Sequence, residues 1–370
     1  MPSPRTVSRT LRRPLRFLRQ LWKIARFTHG FTPVYSPRFP GMFMKGVRLW
    51  LRDGFLPEEA FHIGLFNPAL PTREAAGFIS KQKMMAFQKT VNPAGWIHLT
   101  EEKGLFYRYC EASGVPSPRL YAIYFRDTPG WSRVGTTLKT REDWEKFFIN
   151  EAPDEFVVKP SRGVYGHGIH VYIRSGGNLQ DHKGMPVQPS QIYDMMASDP
   201  KFSGFVVQER IQPHPDMEHL SGTKAIQTVR FLTFIGKSGK CRIFRTLIRV
   251  IGADSITDNY DSGLTGNLFA VVNTEDGRMR RAARFRIDGS GFEYILQHPR
   301  TGVTFDGYQI PLWEDACRMV EDASYKFLPI RAIGWDVTIS DRGPVVIEAN
   351  MFADPPTSPD VDLTEYFLLQ

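Results

Sequence analysis

Two lysine- and carboxylate-bearing segments in this sequence are spaced to act on a phosphate. The first reads Val157-Val158-Lys159-Pro160 and then a loop, 161–168, that contains Gly163, Gly166 and Gly168. Glycines let backbone N–H groups approach an anion closely, and the lysine adds a point charge. The loop is not a Walker P-loop, because the Gly-Lys-Ser/Thr ending and the helix that must follow are both missing. A plain glycine-rich hairpin is the other reading. His167 and His170 lie in or beside the loop with no third ligand near them, which favours loop packing or a phosphate contact over a metal pair.

The second segment is a hairpin over residues 335–349, turning at Asp341-Arg342-Gly343. If Ser340 pairs with Pro344, Asp336 stands opposite Glu348 and Thr338 opposite Val346, with Asn350 two residues beyond Glu348 on the same face. Trp335, Val337, Ile339, Val345, Ile347 and Ala349 take the other face as core. Opposed carboxylates repel unless a cation sits between them, so removing one should relieve the metal-free protein. Two carboxylates and an amide oxygen form a hard-oxygen set suited to Mg²⁺ completed by water and phosphates; two solvated surface acids are the bland alternative. A third clue is Arg230, alone in the apolar run 228–234, where it calls for an anionic partner or an internal ion pair.

The elements that must carry these residues are a mixture. Beyond residue 155, short β-rich runs are expected at 156–158, 169–173, 205–208, 229–235, 241–251 and 269–273, with a helix over 312–327. Thr100 is the expected N-cap of a helix with Gly114 just past its end, and 120–125 reads as extended. Hairpins with intervening helices predict an α+β fold with antiparallel sheets. Residues 54–97 are mostly helical in pattern and lack a dinucleotide-binding glycine motif.

Composition excludes several classes. The three cysteines lie far apart without a CxxC pair, which argues against a disulfide framework and for a reducing compartment. No run approaches the roughly 18 apolar residues of a membrane span. The net charge of +8 is concentrated: residues 1–52 hold 12 Lys/Arg and no acid, which leaves 35 basic against 39 acidic groups elsewhere. Nucleic acid is therefore not an expected partner. Within 9–27, Leu11, Leu15, Leu18, Trp22 and Ala25 form a helical stripe, flanked by Arg12, Arg16, Arg19, Lys23 and Arg26. Pro14 predicts that regular helix begins near Arg13. The stripe fits peripheral contact with an anionic membrane, packing on residues 54–97, or an organellar transit peptide, and all three stay open.

Taken in order, these pieces resemble the ATP-grasp superfamily, and most closely its sugar-transfer-associated family. The carrying segments are Glu102-Lys103 with Val115-Pro116-Ser117-Pro118; Val158-Lys159-Pro160 with the glycine loop; 207–215, from Val207-Gln208-Glu209-Arg210-Ile211 to Pro215; Thr228-Val229-Arg230; Asp258-Asn259; and Gly334-Trp335-Asp336 with Ile347-Glu348-Ala349-Asn350. The resemblance implies an ATP-grasp fold over 99–370, with a lid subdomain at about 150–210 and a metal-binding core at about 215–355. Before it would come a basic amphipathic segment, 1–30, and a helical region, 31–98, in place of the family's usual α/β pre-domain. Lys103 and Lys159 would hold ATP phosphates under the lid loop of Ser161, Gly163, Gly166, His167 and Gly168. Gln208, Glu209 and Ile211 would line the adenine pocket, with His214 near the ribose. Arg230 would stabilise the transferring phosphoryl group, and Asp336, Glu348 and Asn350 would hold Mg²⁺. The implied activity is ATP-dependent carboxylate–amine ligation through an acyl phosphate, in the cytoplasm or at the inner membrane face, on saccharide-linked substrates. A phosphotransferase of the same fold and a non-enzymatic nucleotide-binding module are the alternatives.

Overall fold

The computed structural model describes residues 4–70, 75, 77–163, 166–252, 255, 257–259, 265–355 and 366, and for 4–13 the backbone alone. The chain divides into two units, one of 1–88 with 283–295 and 353–369, the other of 89–282 with 296–352.

The first unit is helical: α1 (Pro4–Phe31), α2 (Phe39–Leu51), α3 (Pro57–His62) and most of α4 (Lys81–Val91). Helix α1 starts well before the expected Arg13, with Pro14 inside it. Its packing is aromatic: Phe27 stacks on Phe61 at 4.4 Å and Phe17 lies 5.1 Å from Trp50. Gly46 of α2 is needed where the helices meet, since a Cβ there would come within 2.6 Å of Ile24.

The second unit carries two antiparallel-rich sheets. After α5 (Ile97–Glu101) and α6 (Lys103–Ser113), the chain forms β1 (Leu120–Phe125), β2 (Gly130–Ser132), β3 (Thr137–Leu138), α7 (Arg141–Asn150), β4 (Glu155–Pro160), β5 (His170–Ser175), β6 (Asn178–Asp181), α8 (Pro189–Ser198) and β7 (Gly204–Glu209). Their order in the first sheet is β3-β2-β1-β7-β4-β5-β6. Trp144, Phe147 and Phe148 of α7 and Ile192 and Met196 of α8 close a buried core with Phe156 and Phe205. That core fixes the ends of β4 and β7, from which the glycine loop and Gln208 emerge.

After α9 (Pro215–Ser221), the second sheet is built from β8 (Thr228–Ile235), β9 (Cys241–Val250), β10 (Leu268–Val272), β11 (Met279–Phe285), β13 (Ala332–Ser340) and β14 (Gly343–Asn350), in the order β11-β10-β9-β8-β13-β14. Strand β11 runs on into the first unit, where β12 (Phe292–Ile295) lies beside it. Helix α10 (Trp313–Lys326) backs this sheet; Trp335 of β13 donates its indole N–H to Thr233 at 2.9 Å and to Ser324 of α10 at 3.2 Å. The α+β fold with a helical N-terminal region is thus as the sequence predicts.

Two local expectations need correction. The N-cap of α6 is Glu102, not Thr100; its carboxylate accepts from Leu105 N at 2.7 Å, because the short α5 uses up Thr100. The final hairpin turns more tightly than expected: Ser340 pairs with Gly343 and Thr338 with Val345. A bulge then leaves Ile347 as the extra residue, and Asp336 still faces Glu348.

Candidate functional site

The bulged hairpin puts three chemically active side chains in one row across three strands. Arg230 on β8 pairs with Asp336 on β13, which pairs with Glu348 on β14. Gly334 and Asn350 pair in the next row, and the Asn350 amide donates to Gly334 O at 3.4 Å. Asp336 is almost fully buried and accepts from Arg230 through both of its oxygens: Nε binds Oδ1, and Nη2 lies 2.9 Å from Oδ2. Arg249 of β9 adds a second guanidinium at 3.0 Å from Oδ2. Burial pushes the Asp336 carboxyl up, but the two arginines outweigh it and hold it below the usual range.

Two lysines complete the ring of charge. Lys103 opens α6 and reaches Glu348 Oε1 at 3.0 Å and the Gly163 carbonyl at 3.3 Å. Lys159, the last residue but one of β4, is buried with its ammonium 5.4 Å from the Tyr107 ring centroid. Desolvation drives Lys159 down to about 7, against the pull of Glu348. Burial raises the Glu348 carboxyl, yet Lys103 and Lys159 bring it below its ordinary value. Tyr107 lies one turn after Lys103 and donates to the carbonyl of Ile347, the bulged residue, at 2.9 Å.

The structure adds partners that the sequence motifs did not assign. Asp258, buried beside β8, accepts from Thr228 N at 2.7 Å and from the Thr228 hydroxyl, while Arg249 Nη2 donates to the same hydroxyl at 2.6 Å. Lys103, Arg230 and Arg249 balance Asp258, Asp336 and Glu348 one for one, and buried Lys159 adds a fourth cation when it is protonated. A buried site with surplus positive charge attracts a polyanion. The one-turn spacing of Lys103 and Tyr107 was a readable signal; the reach of Arg249 across β8 was not.

The remaining predicted residues divide. Ser161 is buried at the end of β4, donating its N–H to Gly204 O at 2.9 Å and accepting at its carbonyl from Lys103 N at 2.9 Å. Gly166 and Gly168 hold φ of +68° and +73° and flank exposed His167; a Cβ on Gly166 would meet Thr257 and Asn259. Gln208 is buried and its Oε1 has no hydrogen-bond partner among the described residues, an acceptor open to a ligand N–H. Ile211 packs with Val345 and Ile347. Glu209 is engaged by Arg342 and Arg119, and His214 caps α9 by accepting from Asp216 N at 3.1 Å. Those two carry structural contacts of their own.

A family model described as sugar-transfer associated ATP-grasp matches residues 82–361. No curated protein matches the chain. Solved structures similar to it include a D-alanine–D-alanine ligase from Bacillus anthracis (12% identity, 68% of this chain and 57% of that one, TM-score 0.34). Others are D-alanyl-alanine synthetase A from Vibrio cholerae O1 biovar eltor (11%, 74% and 64%, TM-score 0.40) and N5-carboxyaminoimidazole synthetase from Staphylococcus aureus complexed with ADP (11%, 74% and 52%, TM-score 0.39). The match spans less than two thirds of each of these structures.

Proposed function

This chain belongs to the sugar-transfer-associated ATP-grasp family, and from that premise we propose that it is an ATP-dependent carboxylate–amine ligase. The observation that carries the reading is the buried meeting of Lys103 and Lys159 with the Arg230–Asp336–Glu348 row. Phosphoryl transfer needs charge neutralisation and positioning more than a protein nucleophile, and the clustered cations support that reading.

In the reaction, a substrate carboxylate oxygen attacks the γ-phosphorus of ATP and the bond to the β–γ bridging oxygen breaks, releasing ADP. The amine then attacks the acyl carbon, phosphate departs, and the amine proton passes to solvent. Lys103 and Lys159 hold the ground-state phosphates, the orphaned Gln208 Oε1 accepts from the adenine amino group, and the glycine loop covers the nucleotide. Arg230 meets the charge that develops on the transferring phosphoryl group, while Asp336 orients it.

The donor set of Glu348, Asn350 and Asp336 fits a hard divalent cation by type. Both Asp336 oxygens already face arginines, so Glu348 and Asn350 are the more available pair. They would hold Mg²⁺, whose charge would neutralise phosphate oxygens. We take the acceptor to be a saccharide or its precursor, from the family's association with sugar transfer. We place the reaction in the cytoplasm, where ATP is abundant, in keeping with three free cysteines.

The test is ADP release by the chain with Mg²⁺ and a panel of carboxylates, each with and without amines, followed by mass analysis of the product. Amine-dependent ADP release with a new amide is the expected result. A phosphorylated acceptor without an amide would make it a phosphotransferase. Nucleotide binding without turnover on any pair would make it a binding module.

A further inference from the structure

Helix α1 carries two apolar faces and its own unit uses only one. Ile24 and Thr28 are buried, and Phe17, Phe27 and Phe31 touch Trp50, Phe61 and Phe66. At about 100° per residue these side chains gather on one side of the helix. Leu15, Leu18 and Trp22 fall nearly opposite and are 66%, 60% and 60% exposed. Leu15, Leu18 and Trp22 of the stripe are therefore not on the face that the unit buries, Ala25 is half-buried, and the Leu11 side chain lies outside the described residues. Of the adjoining cations, Lys23 is taken by Glu58, while Arg16, Arg19 and Arg26 remain at the surface, Arg26 with its guanidinium 5.6 Å from the Trp22 ring centroid. Helix α2 repeats the chemistry. Met44 and Leu51, each 60% exposed, share the side away from buried Gly46 with Arg48 and Arg52.

We propose that this face of α1 docks on an anionic lipid bilayer. Its leucines and tryptophan enter the boundary between headgroup and acyl chain, and its arginines fork onto lipid phosphates. Charge decides between occupants. No acid occurs before Asp53, so a second copy would set arginine against arginine, whereas an anionic surface complements the face along its length. No helix among the described residues is long and apolar enough to cross a membrane, so the contact is one of lying on the surface. The proposal is independent of the ligase reading.

The experiment is sedimentation of the full chain with phosphatidylglycerol–phosphatidylcholine vesicles and with pure phosphatidylcholine vesicles. Binding to the anionic vesicles alone, weakened by salt, is expected. The combined variant L15E/L18E/W22E should bind at least about tenfold more weakly, and R16E/R19E should lose most of the salt-sensitive part. Thermal unfolding should stay unchanged in both, since these side chains lie outside the packed face; nucleotide affinity is read alongside as a second check of folding. Trp22 emission, taken as the difference from W22F, should shift to the blue on anionic vesicles. Equal sedimentation of wild type and L15E/L18E/W22E overturns the proposal, as does equal binding to neutral vesicles. So does a dimer that L15E/L18E/W22E dissociates while neither protein binds vesicles.

Discussion

Arg249 holds Asp336 from two strands away. Its strand, β9, is separated from β13 by β8, and its guanidinium crosses the gap to sit 3.0 Å from Asp336 while also meeting the Thr228 hydroxyl. The Asp336 carboxylate is therefore clasped by guanidinium groups from two neighbouring strands.

Truncating that clasp should be costly. Arg249→Ala leaves Asp336 with one arginine and Asp258 with Thr228 alone, so a loss of about 3–5 kcal/mol in urea unfolding is expected. Arg249→Lys keeps the charge without the fork and should recover only part. A lysine variant as stable as wild type would show that charge alone suffices.

The opposed acids should behave unequally. Asp336 is the buried counterion of two arginines, so Asp336→Asn should destabilise the fold, contrary to the simple repulsion argument. Glu348→Gln gives up the Lys103 contact at a side chain that is 34% exposed and should cost less than Asp336→Asn. Both should abolish ADP formation. A more stable Asp336→Asn protein would mean that repulsion between the carboxylates outweighs their cations.

Lys159 should make nucleotide binding consume protons. In the free protein its pKa falls from 10.5 to about 7 by burial, so it is largely neutral at pH 8.5. Phosphates beside it favour the charged form, so binding at that pH takes up as much as about one proton. Calorimetry in buffers of different ionisation enthalpy measures it, and Lys159→Met should remove the uptake. The sign for stability follows: between about 7 and 10.5 the unfolded chain holds more protons, so this group's contribution to stability rises with pH. Proton release on binding would rule Lys159 out as the source.

Gly168→Ala should stiffen and strain the glycine loop. Its φ is +73° and a Cβ would stand 3.0 Å from Pro160, so a cost of about 1–2 kcal/mol is expected. ATP should protect the loop of the wild-type protein from protease, and less so that of the variant. No protection of the wild-type loop by ATP would place the loop away from the nucleotide.

The pairing of Asp336 with Glu348 was legible because strand alternation and a tight turn leave few registers. The turn itself was not. A three-residue turn with a straight ladder and a two-residue turn with a bulge at Ile347 give the same functional pair, so the sequence does not separate them. The Lys159 loop and Arg230 stood out as charged interruptions of apolar runs. Asp258 stood in a segment that carried the resemblance but without a role, and the contact of Arg249 with Asp336 left no signal, because a long side chain crossing a strand leaves no periodic trace. In α1 two faces competed. The buried one includes Thr28, whose polarity disguised it, and only the packing of Phe17, Ile24 and Phe27 chose between them.

Helix α6 joins its neighbours at three points of different chemistry. Lys103 bonds Glu348, the Lys103 N–H bonds the end of β4 at Ser161, and Tyr107 bonds the bulge while lying beneath the Lys159 ammonium. A rigid displacement of this one helix would therefore disturb the salt bridge, the root of the glycine loop and the shape of β14 in a single stroke. In mechanical language α6 is a crankshaft: any signal that nudges it is transmitted to both sheets at once, with no need for a relay of side chains between them.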